Sequence, residues 1–269
     1  MAPPPPATRN WLSEVTTGSK ERPLSIILVG QPGVGKTSMA AHAPDPIFMC
    51  DAAEDGISTL KQYGLAPDVP QLPPVKSWGD CLGMLDALAT GQHDRKTLVA
   101  DALGGFEGLC HKCVCDRDYK GEMGDKGFGS YQKGYDSSLA DWRIFINALD
   151  RLRDERGMTI ILLSHVKVAP FKNPEGSDYD RYCPDVHHKT WSVTHKWAEV
   201  VLFANFVTYI ESKDLKAKGK AIGGQDRVMY TEHHAAWDAK NRLGLPPEIS
   251  MGNSGQEAWD NFWNAAHPA

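Results

Sequence analysis

The segment Gly30-Gln31-Pro32-Gly33-Val34-Gly35-Lys36-Thr37 constrains this chain more than any other eight residues. Glycines at these spacings let backbone amides wrap closely around phosphate oxygens. The lysine that follows can pair with β and γ phosphates, and the hydroxyl after it can ligate Mg²⁺. Such a loop needs a strand leading in and a helix leading out. Residues 24–29 are a β-type apolar run, and residues 37–43 are helix-compatible until Pro44 cuts them short. The predicted binding segment is therefore Gly30, Gln31, Pro32, Gly33, Val34, Gly35, Lys36, Thr37 and Ser38, with ATP and Mg²⁺ as the ligands it implies.

Short apolar runs recur after this loop at the pace of a β/α repeat. They cover residues 24–29, 47–50, 98–100, 158–163 and 200–207, five candidate buried strands. Between them, residues 139–156 place Trp142, Phe145, Ile146, Leu149 and Leu152 at steps of three and four, with Gly157 as the stop. A weaker helical pattern over residues 78–89 aligns Leu82, Leu85 and Leu88. Strands alternating with helices predict an α/β fold with a mainly parallel sheet covered on both faces.

With 269 residues and 41% hydrophobic content, the chain can bury one large core. The expected division is a flexible N-terminal tail at 1–21, a core at 22–247 and a C-terminal tail at 248–269. Trp11-Leu12-Ser13-Glu14-Val15 is the only sticky part of the first tail. No run approaches the roughly 20 apolar residues of a membrane helix, and Met1-Ala2-Pro3-Pro4-Pro5-Pro6 has no signal-peptide core, which predicts a cytoplasmic protein. Six cysteines then read as reduced thiols. Cys110, His111, Cys113 and Cys115 are spaced too tightly for the usual two-knuckle zinc site and read as a partly buried helix or loop start. The net charge of −5 leaves no global basic field, so any contact with nucleic acid must come from local loops.

Hydrolysis needs a carboxylate near the metal, and Asp101 closes the apolar run at 97–100. It also needs a base for water, for which Glu54, after the second strand, and Glu107, past Asp101, compete. Ser164-His165 ends the fourth strand, where His165 is placed to sense a γ-phosphate. Lys240 and Arg242 occupy alternate positions, so an extended backbone points both to one face, from which a neighbour's γ-phosphate is within reach. Two loops suit single-stranded nucleic acid. Residues 166–189 mix Lys167, Lys172, Arg181 and Lys189 with Phe171, Tyr179 and Tyr182, and residues 211–227 carry Lys213, Lys216, Lys218, Lys220 and Arg227 in what reads as a hairpin tip.

Taken in order, the P-loop, the turn from Asp51 to Gly56, the Asp101 strand, Ser164-His165, the run from Trp197 to Phe203, and Tyr230-Thr231 leading into Lys240-Asn241-Arg242-Leu243-Gly244-Leu245-Pro246 resemble the phage-encoded RecA-like core ATPases. That group is related to Rad-type recombinases and associated with single-strand annealing and recombination, and the resemblance spans residues 22–247. It implies a RecA-like P-loop NTPase fold with a five-stranded core sheet flanked by helices and a C-terminal β-hairpin extension. The catalytic Glu would follow the second strand, which favours Glu54 over Glu107, although Asp51-Ala52-Ala53-Glu54 is one residue longer than the Asp-x-Glu of many relatives. It further implies His165 as sensor, Lys240 and Arg242 acting in trans, and DNA-facing loops near 116–135 and 166–189. The implied partners are single-stranded DNA and further copies of the chain in a ring or filament, with ATP at subunit interfaces. The alternative is a nucleotide-gated scaffold or loader for a single-strand-binding or other replication protein. A phage-encoded chain of this kind would work in the cytoplasm of a bacterial host.

Overall fold

Alternate residues of the first strand are buried in two different cores. Ile26 and Leu28 pack on one side, Ile27 and Val29 on the other, and none is more than 2% exposed. A parallel strand covered on both faces gives this continuous apolar run in sequence. The computed structural model describes residues 15–18, 22–211 and 220–268. Residues 11–14 of the Trp11 stretch and Lys213, Lys216 and Lys218 lie outside them.

Along the chain the elements are β1 (Ser25–Gly30), α1 (Lys36–Ala40), β2 (Pro46–Cys50), α2 (Gly56–Gln62), α3 (Trp78–Thr90), β3 (Thr97–Asp101), α4 (Leu103–Asp118), α5 (Lys133–Arg156) and β4 (Thr159–Ser164). They continue with β5 (Val166–Phe171), β6 (Tyr179–Pro184), α6 (His188–Trp197), β7 (Val200–Glu211), β8 (Lys220–Tyr230), β9 (Lys240–Asn241), β10 (Glu248–Ser250) and α7 (Gly255–Ala266). The five predicted strands form the parallel part of the sheet, in the order β2-β3-β4-β1-β7. Antiparallel β8 and β10 extend it beyond β7, with β9 paired to the start of β7. The β5–β6 hairpin forms a separate two-stranded sheet.

Helices α3, α4 and α5 cover one face. Trp142, Phe145, Ile146, Leu149 and Leu152 of α5 all reach that core, and Gly157 closes the helix in the left-handed region at φ 65°. Helix α4 carries the cysteine cluster, but Cys110 faces the main core while Cys115 packs with Phe128 and Val114. Burial pushes the Cys110 thiol up, and its Sγ donates to Ser138 O. Among the described residues, no group of three or more His, Cys, Asp or Glu side chains is placed to hold a metal ion. No helix among them is long and apolar enough to cross a membrane.

The opposite face corrects the expected C-terminal tail. Residues 248–250 add β10 to the sheet, and α7 lies on α1 with Ala258, Trp259 and Phe262 buried beside Ile26, Leu28 and Leu202. Ser254 accepts from Glu257 N and Glu257 accepts from Asn253 N, a reciprocal cap that starts the helix. Gly255 permits the contact, since a Cβ there would fall 2.4 Å from Ser38 Oγ. Phe262→Ala is expected to cost about 3–5 kcal/mol, read by chemical denaturation. Truncation after Pro247 should abolish the cooperative transition, because β1 would lose the cover of one face.

Candidate functional site

The phosphate-loop sequence leaves β1 at Gly30, where a Cβ would lie 2.4 Å from Ala204 O of β7. Only glycine allows that approach. Gly33 (φ 77°) and Gly35 (φ 102°) take the left-handed conformations that turn the loop, and Val34 is buried beneath it. Lys36, 6% exposed, donates from Nζ to Gly30 O (2.9 Å) and Gln31 O (3.0 Å). Burial lowers its pKa to about 8, against the pull of the Asp101 and Glu54 carboxylates.

Strand β3 ends on Asp101, whose Oδ2 accepts from Thr37 Oγ1 at 2.8 Å. Burial pushes this carboxyl up, the Thr37 hydrogen bond opposes it, and the charge of Glu54 adds to it. The extra residue between Asp51 and Glu54 is absorbed in a local turn. Asp51 Oδ1 accepts from Ala53 N (2.8 Å) and Asp51 O from Glu54 N (3.1 Å). Glu54 then faces His165 at the end of β4, with 3.1 Å between Oε1 and Nε2. Lys36, Thr37, Glu54, Asp101 and His165 line one cleft of about 390 Å³.

The competing carboxylate is elsewhere. Both oxygens of Glu107 accept from His187 N at 2.9 Å, which ties α4 to the start of α6. Lys240 is likewise committed within its own chain, contrary to the expectation that it reaches a neighbour. Its Nζ donates to His195 O (2.8 Å) and Lys196 O (3.1 Å), and to Ala198 O, at the carboxyl end of α6 where the helix leaves carbonyls free. Arg242 is exposed.

The expected cation surface at 166–189 is also corrected. Lys167 pairs with Asp185 (2.9 Å), Arg181 with Asp238 (2.7 Å), Lys189 with Asp136 (2.6 Å) and Lys172 with Asp178. Residues 166–189 hold four cations and four carboxylates, and Arg181 is buried. The rings are engaged too: Phe171 lies against Tyr179, and Tyr182 takes part in a P-loop contact.

Three further features were not foreseen. Gln31 leaves the cleft and donates to Tyr182 OH (3.1 Å) and Asn205 Oδ1 (3.0 Å). Ser38, which also lines the cleft, donates to Leu65 O (2.8 Å). Arg227, predicted as part of a basic loop, returns to the P-loop and donates to Val34 O (3.4 Å) and Gly252 O (2.9 Å). No local signal marks Arg227, which lies 193 residues beyond Val34.

A family model described as an AAA domain (AAA_24) matches residues 22–243. The chain belongs to this family. Its fold is the α/β RecA-like P-loop fold, with a mainly parallel sheet flanked by helices and antiparallel C-terminal strands. Among solved structures, a crystal structure of the RadB recombinase is similar, with a TM-score of 0.46 and 11% identity over 88% of this chain and 90% of that one. Comparison with curated proteins returned no match.

A P-loop ATPase of the AAA-domain family implies nucleotide binding, and the lowered pKa of Lys36 predicts that this binding is sensitive to pH. A phosphate anion raises an ammonium pKa, so a lysine held at about 8 when free takes up a proton on binding. Titration calorimetry at pH 8 in buffers of different ionisation enthalpy should register this uptake, and Lys36→Arg should lack it. Affinity should weaken as pH rises above 8. Separately, Lys240→Ala should lower stability by about 1 kcal/mol, measured by denaturation, whereas Arg242→Ala should leave it unchanged.

Proposed function

We propose that this chain is a Mg²⁺-dependent ATPase acting on single-stranded DNA in recombination or strand annealing, assembled as a homo-oligomer with ATP between subunits. The observation that carries the hydrolytic part is the meeting of Lys36, Thr37, Asp101, Glu54 and His165 in one cleft. The Thr37 hydroxyl and Asp101 carboxylate, 2.8 Å apart, are hard oxygen donors of the kind Mg²⁺ takes. Asp101 is also desolvated, so a divalent cation there keeps it ionised. These residues fit the ion, which when bound supplies charge neutralisation to the β and γ phosphates.

Glu54 receives the proton of the attacking water, and His165 holds its carboxylate in place. Lys36 turns from its carbonyl partners to the phosphates. Arg242, exposed at the end of β9, is the cation left to reach a neighbour's nucleotide. For the DNA arm, support comes from the resemblance and from Tyr131, which is 92% exposed in a segment that also carries Lys126 and Lys133. Lys213, Lys216, Lys218 and Lys220 add a second cationic stretch in the sequence.

A second reading is a nucleotide-gated scaffold whose partner is a replication protein. The internal pairing of every cation at 166–189 favours it, because that hairpin then offers no net charge to a phosphate backbone. ATP turnover with and without single-stranded DNA, at low and moderate salt, separates the two. Salt-sensitive stimulation is expected, with Lys36→Ala as the blank. Turnover indifferent to DNA but raised by a protein partner would favour the scaffold. In the same assay Glu54→Gln should lower kcat by about 10²–10⁴-fold with ATP binding intact, while Glu107→Gln should keep most of the turnover.

A further inference from the structure

Helices α3 and α4 cover the same face of the sheet, and a cavity of about 480 Å³ opens between the start of α3 and the outer side of α4. Trp78, Leu109 and Cys113 give it an apolar wall, with Lys76 and Gly79 at the α3 end. None of its lining residues belongs to the cleft that holds Lys36 and Asp101. We propose that this cavity is a second ligand site, for a small molecule with an apolar body and a single carboxylate. The proposal does not depend on the nucleotide reading of the cleft.

The apolar wall is fixed by the core behind it. Trp78 is 4% exposed, stacks on Trp142 at 6.0 Å between ring centroids and meets Phe145 at 5.8 Å. Its indole Nε1 is buried without a hydrogen-bond partner. Buried donors are almost always paired, and a ligand oxygen beside the ring is the kind of acceptor this one lacks. A volume of about 480 Å³ lies within the range of small-molecule pockets.

Charge selects the ligand. Ser77 Oγ accepts from Asp80 N and Ser77 O from Cys81 N, which leaves the amides of Trp78 and Gly79 without partners among the described residues. Those two amides carry the positive end of a 13-residue helix. A Cβ at Gly79 would meet only Ser77 Oγ, at 3.7 Å, so an anion has room to approach. Beside them Lys76 is exposed and makes no ion pair among the described residues. The cations on α4 are already matched. Lys112 pairs with Asp116 (2.7 Å), and Arg117 with Asp118 and Asp141 (2.9 Å each). One unpaired cation at one helix end suits a single carboxylate, whereas three carboxylates along α4 and α5 repel a polyphosphate.

Cys113 reports occupancy, because it lines the cavity and is half-buried. Cys183, also half-buried, lies outside it, and the other four cysteines are buried. Alkylation of the full chain by iodoacetamide, followed by peptide mass spectrometry, is run with 4-phenylbutyrate or octanoate and with the amide of each. Acids of about ten heavy atoms are expected to bind at about 1 mM. At about 10 mM, at least one acid should therefore slow Cys113 alkylation about tenfold by mass action, with Cys183 unchanged. The amides and inorganic phosphate should slow it less than about twofold. Lys76→Met keeps the stem of an exposed side chain and should cut protection by the acid to about twofold, since a charge-assisted contact contributes roughly tenfold in affinity. Equal protection by an acid and its amide, protection by phosphate, or full protection in Lys76→Met would overturn the assignment. So would the absence of protection by either acid at about 10 mM.

Discussion

The hydrogen-bonded register among parallel strands is the constraint on which everything else depends. Val29 lies opposite Ser164, Gly30 opposite Ala204, and Cys50 opposite Asp101. Parallel strands share direction, so their carboxyl ends gather at one edge and the residues that follow each strand meet there. The P-loop, the turn before Glu54 and His165 are three such continuations, and Asp101 is the last residue of β3 itself. A one-residue slip would turn every apolar side chain of a strand to the wrong core, and two buried faces make that slip prohibitive.

Charge is arranged around this edge with economy. Within the cleft a buried lysine faces two carboxylates, one of them raised by desolvation. Away from the cleft the cations of the β5–β6 hairpin are matched by carboxylates, and Lys240 is absorbed by the end of α6. Arg227 is the instructive exception. It stands on a strand of the C-terminal hairpin yet turns back to the loop at the start of the chain, joining the last elements of the fold to its first motif.

Legibility followed the range of the interaction. The P-loop, the five strands and the face of α5 are short-range patterns, set by glycine conformation, strand burial and helical periodicity, and all were readable from residues a few positions apart. Helix α7 was missed although it has a capping pair and an apolar face, because a helix of 12 residues after a proline-containing loop resembles a tail until the uncovered face of β1 is seen. Glu54 and Glu107 competed in the sequence, where only the family resemblance favoured Glu54; in the structure Glu54 faces His165 in the cleft, whereas Glu107 accepts from His187 N.

By itself the sequence determined the fold class and the chemistry of the phosphate loop, since both follow from local backbone preferences and from residue types at fixed spacing. Tertiary structure alone decided which cations are paired, which carboxylate enters the cleft and that Arg227 returns to the P-loop. Those outcomes depend on pairing between side chains far apart in the chain, as between Arg181 and Asp238 or Arg227 and Val34, and no local pattern encodes such a partner.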